Sequence, residues 1–446
     1  MRKIAVSKLP IDPGPSGWAH VLDAPPAARM IEAHETADWL IIGAGFAGLA
    51  AARRLSQLRP EDRIVVLDAK RVAEGPAGRN SGFMIDLPHD LASEDYGGSL
   101  EHDIVQTADN RHAIGFVAEM AADFELGEDV FSQCGKINGA ATEKGDTHNR
   151  EYAQHLADMN EASEMLDADQ MREITGTSYY RGGLYTAGTA VIQPAAFVRG
   201  VARGLVSNRV QIFEDSPVLE LTRNGSWTAK TPNGSVKAPK VILAVNGHLN
   251  SFGFMKNRLM HVFTYASMTR PLTGEEASML GGRSVWGLTP ADPIGSTVRR
   301  IQARDGARIV VRNRFTFDPS MEVSDRRIAN VGRDHDRAFA ARFPALAGIE
   351  MEYRWGGRLC LSRNNVNVVA ELEEGLFSAC CQNGLGTVRG TFGGIMAAEL
   401  ATGTTSERLD RVLSAPKPVK LPPEPIARIG ANAVIRWQER KAGAEL

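Results

Sequence analysis

The chain is predicted to be a mixed α/β protein in which one Rossmann-like domain is interleaved with a second sheet-based domain. Three observations carry this. Trp39-Leu40-Ile41-Ile42 is a short, uninterrupted apolar run, the pattern of a strand buried on both faces. A glycine-rich turn and a run of small residues follow it, and then a second apolar run, Ile64-Val65-Val66-Leu67, completes a βαβ unit. The same strand-then-helix grammar returns at Val241-Ile242-Leu243-Ala244 and at 376–400, with longer, more polar segments between.

The elements follow in order. Residues 1–30 carry Pro10, Pro13, Pro15, Pro25 and Pro26 and read as an extended arm over the surface. Residues 101–123 and 147–173 have helical patterns with one polar, charged side. Gln193-Pro194 opens a helix that runs to Val206, since proline is favoured in the first helical turn. Val210-Gln211-Ile212 and 217–221 read as strands. Between 255 and 311 the pattern alternates, with strands around 262–268, 296–301 and 308–311. Buried-strand character returns at 376–379, then a glycine-rich turn and a helix over 387–400. The expected division is an arm at 1–30; one domain from 31–95, 190–254 and 355–410; a second from 96–189 and 255–354; and an extension at 411–446.

Composition excludes several classes. The 446 residues are 43% hydrophobic and 23% charged, which is ordinary globular composition, not disorder or coiled coil. Lys and Arg number 51 against 53 Asp and Glu, so the chain as a whole has no general attraction for nucleic acid or an anionic membrane. No apolar run approaches the ~20 residues of a spanning helix, and the N-terminus lacks a signal-peptide core. The four cysteines form no CxxC pair and have no zinc-ligand spacing, which fits a reducing compartment, and the expected location is the cytoplasm. No metal site is expected: Asp334-His335-Asp336 lacks a second ligand cluster and reads as a solvated turn. The turn at 78–82 is not a nucleophile elbow.

The chemistry-bearing signal is Gly43-x-Gly45-x-x-Gly48, directly after a strand and opening a helix, with Asp68 twenty positions beyond at the end of the next strand. The first glycine makes the tight turn, the second admits a pyrophosphate to the backbone, and the third lets helix and strand pack closely. Phe46 and Ala47 supply N–H groups at the helix start, where partial positive charge accumulates. Asp68 and the neighbouring Ala69 are placed to meet a ribose hydroxyl. A dinucleotide is expected on these grounds; the glycines alone do not choose between FAD and NAD.

Six more blocks join the fingerprint. They are Gly75-Pro76-Ala77-Gly78-Arg79-Asn80-Ser81-Gly82; Gln193-Pro194; Ser216-Pro217-Val218; Leu243-Ala244-Val245-Asn246-Gly247; Trp355-Gly356-Gly357; and Gln382-Asn383-Gly384-Leu385-Gly386-Thr387. With them, the chain from 38 to 403 resembles the D-amino-acid oxidase family of flavoproteins, which includes glycine and sarcosine oxidases and related amine dehydrogenases. The resemblance implies non-covalent FAD, with Arg79, Asn80, Ser81 and Gly82 in a second glycine-rich turn, Val218 beside the adenine, and Asn246 and Gly247 along the cofactor. Gly384, Leu385, Gly386 and Thr387 would open a helix whose free N–H groups face the flavin pyrimidine, where reduction places negative charge. It also implies a small amine or amino-acid substrate that loses hydride to the flavin, with molecular oxygen or another acceptor taking the electrons.

For the substrate, a carboxylate calls for a cation, best a bidentate arginine. Arg299 and Arg300 sit side by side on a predicted strand, so alternation sends only one to the pocket, and the expectation falls on Arg300, with Arg358 as a second candidate. His89 follows the second glycine-rich turn, and His261 and Tyr265 share one side of a substrate-domain strand. Arg304, Arg308, Arg312 and Arg314 crowd the same pair of strands. Two departures from the family pattern stand out. The lysine that sarcosine oxidases place near the flavin falls on an aliphatic residue, near Val310. Cys360 lies near a covalent attachment point, but its flanking residues match poorly. The alternatives are a dehydrogenase with another acceptor, an NAD-dependent enzyme, or a non-catalytic FAD-binding protein.

Overall fold

The computed structural model describes residues 2–89, 93 and 96–446. Its centre is a six-stranded sheet in the order Val210–Phe213, Ile64–Leu67, Trp39–Ile42, Lys240–Leu243, Leu376–Cys380 and Val368–Glu373. The first five are mutually parallel and the last is an antiparallel edge. Alternation along each strand divides the core in two. Trp39, Ile41, Ile64, Val66 and Ile242 pack beneath helices Phe46–Leu58, Pro194–Leu205 and Gly386–Thr402. Leu40, Ile42, Val65, Leu67 and Leu243 pack against Leu221, Trp227 and Val236 of a five-stranded sheet on the other face. Both faces are therefore covered, which is why these strands read as continuous apolar runs.

The second body is an eight-stranded sheet in the order Met351–Ser362, Leu259–Thr269, Gly306–Phe317, Thr297–Ala303, Trp286–Pro290, Lys136–Ala140, Gly182–Thr186 and Glu164–Leu166. All pairs are antiparallel except Trp286–Pro290 with Lys136–Ala140.

Several sequence expectations shift. The N-terminal arm is not merely superficial: Arg2–Ala5 pairs antiparallel with Glu220–Asn224, and Trp18 is fully buried against Trp355. The helix expected over 147–173 divides into Glu143–Asp158, the strand Glu164–Leu166 and helix Ala168–Thr175. Asn160 in the left-handed region ends the first, and Asp167, in a capping box with Gln170, starts the last. The strand expected at 217–221 begins only at Glu220. Residues 355–362, assigned to the first domain, complete the edge strand of the eight-stranded sheet. Asp334, His335 and Asp336 lie not in a turn but in helix Asp325–Arg342, where buried His335 bonds Ser267 Oγ at 2.7 Å.

Helix Gly386–Thr402 comes against the backbone of helix Phe46–Leu58 at Gly394. A Cβ on Gly394 would lie 2.2 Å from the Ala47 carbonyl oxygen, a backbone atom that cannot swing aside, whereas one on Gly393 would make an ordinary 3.6 Å contact with Val369. Gly394→Ala is expected to destabilise the protein by about 1–3 kcal/mol in urea unfolding, and Gly393→Ala by clearly less.

Candidate active site

The two bodies enclose one long cavity, lined by the turn after the first strand, the 75–81 turn, the N-terminus of helix Gly386–Thr402 and the inner side of the eight-stranded sheet. Gly43 lies at φ 107°, a conformation natural only to glycine, and a Cβ there would sit 2.5 Å from Ala244 O. A Cβ on Gly48 would fall 1.8 Å from Gly43 O, so this glycine serves helix–strand packing and does not itself line the cavity. Gly45 is different: a Cβ there would meet only Ala77 at 3.6 Å. Its smallness answers to what lies in the cavity, not to the protein around it.

Gly43, Gly45, Phe46 and Ala47 line one stretch, with Asp68 and Ala69 beside them and Val218 beyond. Asp68 accepts from Ala44 N at 2.6 Å and Lys70 N at 2.9 Å. Burial pushes its carboxyl up to about 6, against the lowering effect of those two N–H groups. Asn246 and Gly247 line the middle; Asn246 Oδ1 accepts from Cys381 N at 3.1 Å. Gly384, Leu385, Gly386 and Thr387 form the far wall, and no side chain caps the helix they open. Thr387 Oγ1 donates to Phe83 O at 2.8 Å, tying this helix start to the second turn.

In that second turn Asn80 and Ser81 line the cavity, but Arg79 and Gly82 do not. Arg79 turns away and donates to Glu74 O at 2.6 Å and to Gly356 O and Gly14 O, binding the N-terminal arm to the eight-stranded sheet. Gly82 backs onto Arg299, whose guanidinium donates to Ser81 O at 3.0 Å and Ile192 O at 2.8 Å and lies over Trp18.

The expected substrate residues part company. Arg300 is directed at the end of helix Gly274–Leu280, where it donates to Gly281 O and Ala277 O; it is outside the cavity, because helix-terminal carbonyls claim it. Tyr265 is also outside, packed with Phe263 and Ile328, its hydroxyl 2.6 Å from Thr316 Oγ1. His261 lies behind Gly247 beside Asn250, and burial pushes it down to about 4. Arg358 does line the cavity, but it is committed to Met321 O at 2.8 Å and to the buried carboxylate of Asp12 at 3.2 Å. Cys360 lines the cavity too. Hydrogen bonding to Cys381 and burial hold its thiol well above the ordinary value, so it is kept from the nucleophilic thiolate form.

His89 stands on the cavity wall, stacked on Tyr96 with ring centroids 4.2 Å apart. Burial, then the charges of Lys136, Arg312 and Arg389, keep it well below the usual histidine range, so it is neutral at physiological pH. The residue that sequence reasoning did not single out is Arg312, on strand Gly306–Phe317. It lines the cavity with His89, Tyr96, Thr297 and Pro290. Among the described residues its guanidinium has no hydrogen-bond or ion-pair partner, lying only over the Phe315 ring at 4.7 Å, and burial lowers its pKa to about 10. The signal was available in part: the neighbouring Arg308 has Asp305 three residues away to satisfy it, and Arg312 has no acid so placed.

The comparisons with known proteins agree with this geometry. Residues 38–400 match the family model described as DAO, FAD dependent oxidoreductase, so the chain belongs to that family. Among curated proteins it is 25% identical over 414 residues to a probable oxidoreductase OrdL of Rhizobium meliloti, covering 89% of this chain and 90% of that protein. To the gamma-glutamylputrescine oxidoreductase of Escherichia coli it is 24% identical over 397 residues, covering 85% and 87%. Among solved structures, glycine oxidase from Geobacillus kaustophilus superposes with a TM-score of 0.68 at 15% identity, covering 84% of this chain and 96% of that one. Iminodiacetate oxidase from a Chelativorans species gives 0.64 at 16%, covering 83% and 96%. The protein is an FAD-dependent oxidoreductase.

The cavity fits that cofactor on its own terms: a glycine cradle, two helix N-termini offering unpaired N–H groups, and a carboxylate, Asp68, beside the first of them. Two predictions follow from the glycines and the acid. Gly45→Ala should leave apoprotein stability within about 0.5 kcal/mol of wild type yet weaken FAD binding, while Gly48→Ala should destabilise the apoprotein itself; urea melts with and without FAD separate them. For Asp68 the folded-state pKa is raised, so its contribution to stability is full below the unfolded value and is lost as pH rises through about 6. In the apoprotein, wild-type stability should therefore fall relative to Asp68→Asn by on the order of 3 kcal/mol between pH 4 and pH 7. A pH-independent difference between the two would contradict the burial argument.

Proposed function

We propose that the protein oxidises the C–N bond of a small amino acid or secondary amine bearing a carboxylate, giving an imine that water hydrolyses. The observation that supports this most directly is Arg312, a half-buried guanidinium that faces the cavity and has no acid partner among the described residues. A half-buried guanidinium turned toward the cavity is placed to hold a substrate carboxylate in bidentate fashion. The relatives named as glycine oxidase, iminodiacetate oxidase and gamma-glutamylputrescine oxidoreductase act, by their names, on amino acids or amines.

FAD, when bound, supplies the two-electron acceptor for hydride from the carbon next to nitrogen. The residues that would hold it are Gly43, Gly45, Phe46, Ala47, Asp68, Val218, Asn80, Ser81, Asn246, Gly247 and the 384–387 turn. The rest is the work of the chain's own groups. Arg312 fixes the carboxylate and so the orientation of the reacting carbon. Hydride departure requires the amine lone pair, and the Arg312 charge favours the neutral amine over the ammonium. Among the described residues, no carboxylate lines the wall formed by Phe83, His89, Tyr96, Thr297 and Arg312. His89, neutral, can share a hydrogen bond with that amine without adding charge. Phe83, Ile85 and Leu385 cluster at this end and exclude water from it. Oxygen is the favoured acceptor in this reading, and a dehydrogenase using another acceptor is the alternative.

The test compares Arg312→Met with Arg300→Met, using an amino-acid substrate and its decarboxylated amine. Arg312→Met should lose about 2–5 kcal/mol of apparent binding of the acid, by analogy with truncated buried charge pairs, while reaction with the plain amine changes little. Arg300→Met should leave both substrates nearly unaffected. Equal losses on both substrates in Arg312→Met would mean that this arginine supports the fold rather than the substrate.

A further inference from the structure

The C-terminal helix Ile426–Ala442 is amphipathic in an unusual sense: it is apolar on both its inner and its outer side. Inward, Ala427, Ala431, Ile435 and Ala442 pack against Phe315, Phe317 and Val262 of the eight-stranded sheet. Asn432 fixes the helix by donating to Phe317 O at 3.0 Å, and Glu439 by accepting from Arg314 and Phe315 N. Outward, Ile426 is 63% exposed, Ile429 65%, Val434 54% and Trp437 56%. At 100° per residue these side chains, with Gly430 and Ala433, fall in one arc of about 140° and form a stripe about 17 Å long.

The charges around the stripe have one sign. Arg436, Arg440 and Lys441 are exposed within or beside this arc, and Lys441 Nζ lies 4.0 Å from the centre of the Trp437 ring; Arg428 is exposed too but falls on the opposite side of the helix. The helix's own carboxylate, Glu439, is turned inward and paired with Arg314 at 2.9 Å. Glu424, just before the helix, is the exposed acid of the segment. Three cations beside a row of isoleucine, valine and tryptophan are what an interfacial helix presents to anionic headgroups and the acyl boundary beneath them.

We infer that this helix is a docking face for an anionic phospholipid surface, on which the protein lies without spanning it. A second copy fits less well, since a twofold contact would bring two such basic patches together. The net charge of −2 is a sum over the whole chain; the exposed ionisable side chains of this helix are all basic. The helix contributes no residue to the cavity lining, so the face can be altered without touching the active site.

The test uses the FAD-loaded protein and vesicles of phosphatidylcholine alone or mixed with phosphatidylglycerol. Wild type should co-sediment with the mixed vesicles at least tenfold more strongly than with phosphatidylcholine. Trp437 should also shift its fluorescence to the blue on binding; the other five tryptophans are buried and would not report. Ile429→Ser with Trp437→Ser should weaken binding by about tenfold or more, and Arg436→Gln, Arg440→Gln and Lys441→Gln together by roughly a hundredfold, with flavin content unchanged. The inference fails if wild type does not prefer anionic vesicles, or if both variants bind as wild type does. It fails equally if wild type is a stable dimer in solution that the serine substitutions dissociate, for then a second copy covers the stripe.

Discussion

The architecture depends on close backbone approach at a few glycines. Gly43 lies against Ala244, Gly48 against Gly43, and Gly394 against Ala47, each at a distance no larger residue permits. These contacts hold helices Phe46–Leu58 and Gly386–Thr402 side by side on one face of the parallel sheet, with both N-termini opening on the same cavity. The partial positive charge of two helix ends is thereby concentrated where an anionic cofactor lies and where reduction adds further negative charge. Widening any of these contacts would separate the two ends, and the cavity would lose the feature that suits it to a flavin dinucleotide.

The second organising theme is what becomes of the buried cations. Arg79 and Arg299 are consumed by carbonyl oxygens at the domain junction, and Arg358 by Asp12 of the N-terminal arm. These three join arm, turn and sheet around the cavity; their work is to close it. Arg312, by contrast, faces the cavity with no counter-charge among the described residues. Chemistry follows from that contrast: a half-buried guanidinium turned toward the cavity offers a carboxylate-bearing ligand a charge-assisted, bidentate partner.

Much of this was legible in the sequence. The fingerprint, the strand runs and the late glycine turn declare themselves because they depend on local chemistry: apolar runs, small residues and a positive φ at Gly43. The FAD-dependent family and the mixed α/β fold could be read from the same blocks. Side-chain direction on the second sheet could not. Alternation correctly separates Arg299 from Arg300, yet neither reaches the cavity, because Arg299 finds carbonyls at Ser81 and Ile192 and Arg300 finds a helix end. Those partners are 19 or more residues away in sequence, and no periodicity reveals them. Arg79 was misjudged for the same reason: its acceptors at Gly14 and Gly356 lie on segments that meet only in the folded chain.

The central claim, that a carboxylate-bearing amine reduces a flavin held in this cavity, is tested most directly by anaerobic mixing of the FAD-loaded protein. The panel is glycine, D-amino acids, sarcosine, iminodiacetate and their decarboxylated analogues. The account predicts that at least one acid bleaches the flavin, and that its decarboxylated partner does so far more weakly. Bleaching by reduced nicotinamide cofactors alone, with every amine silent, would contradict it.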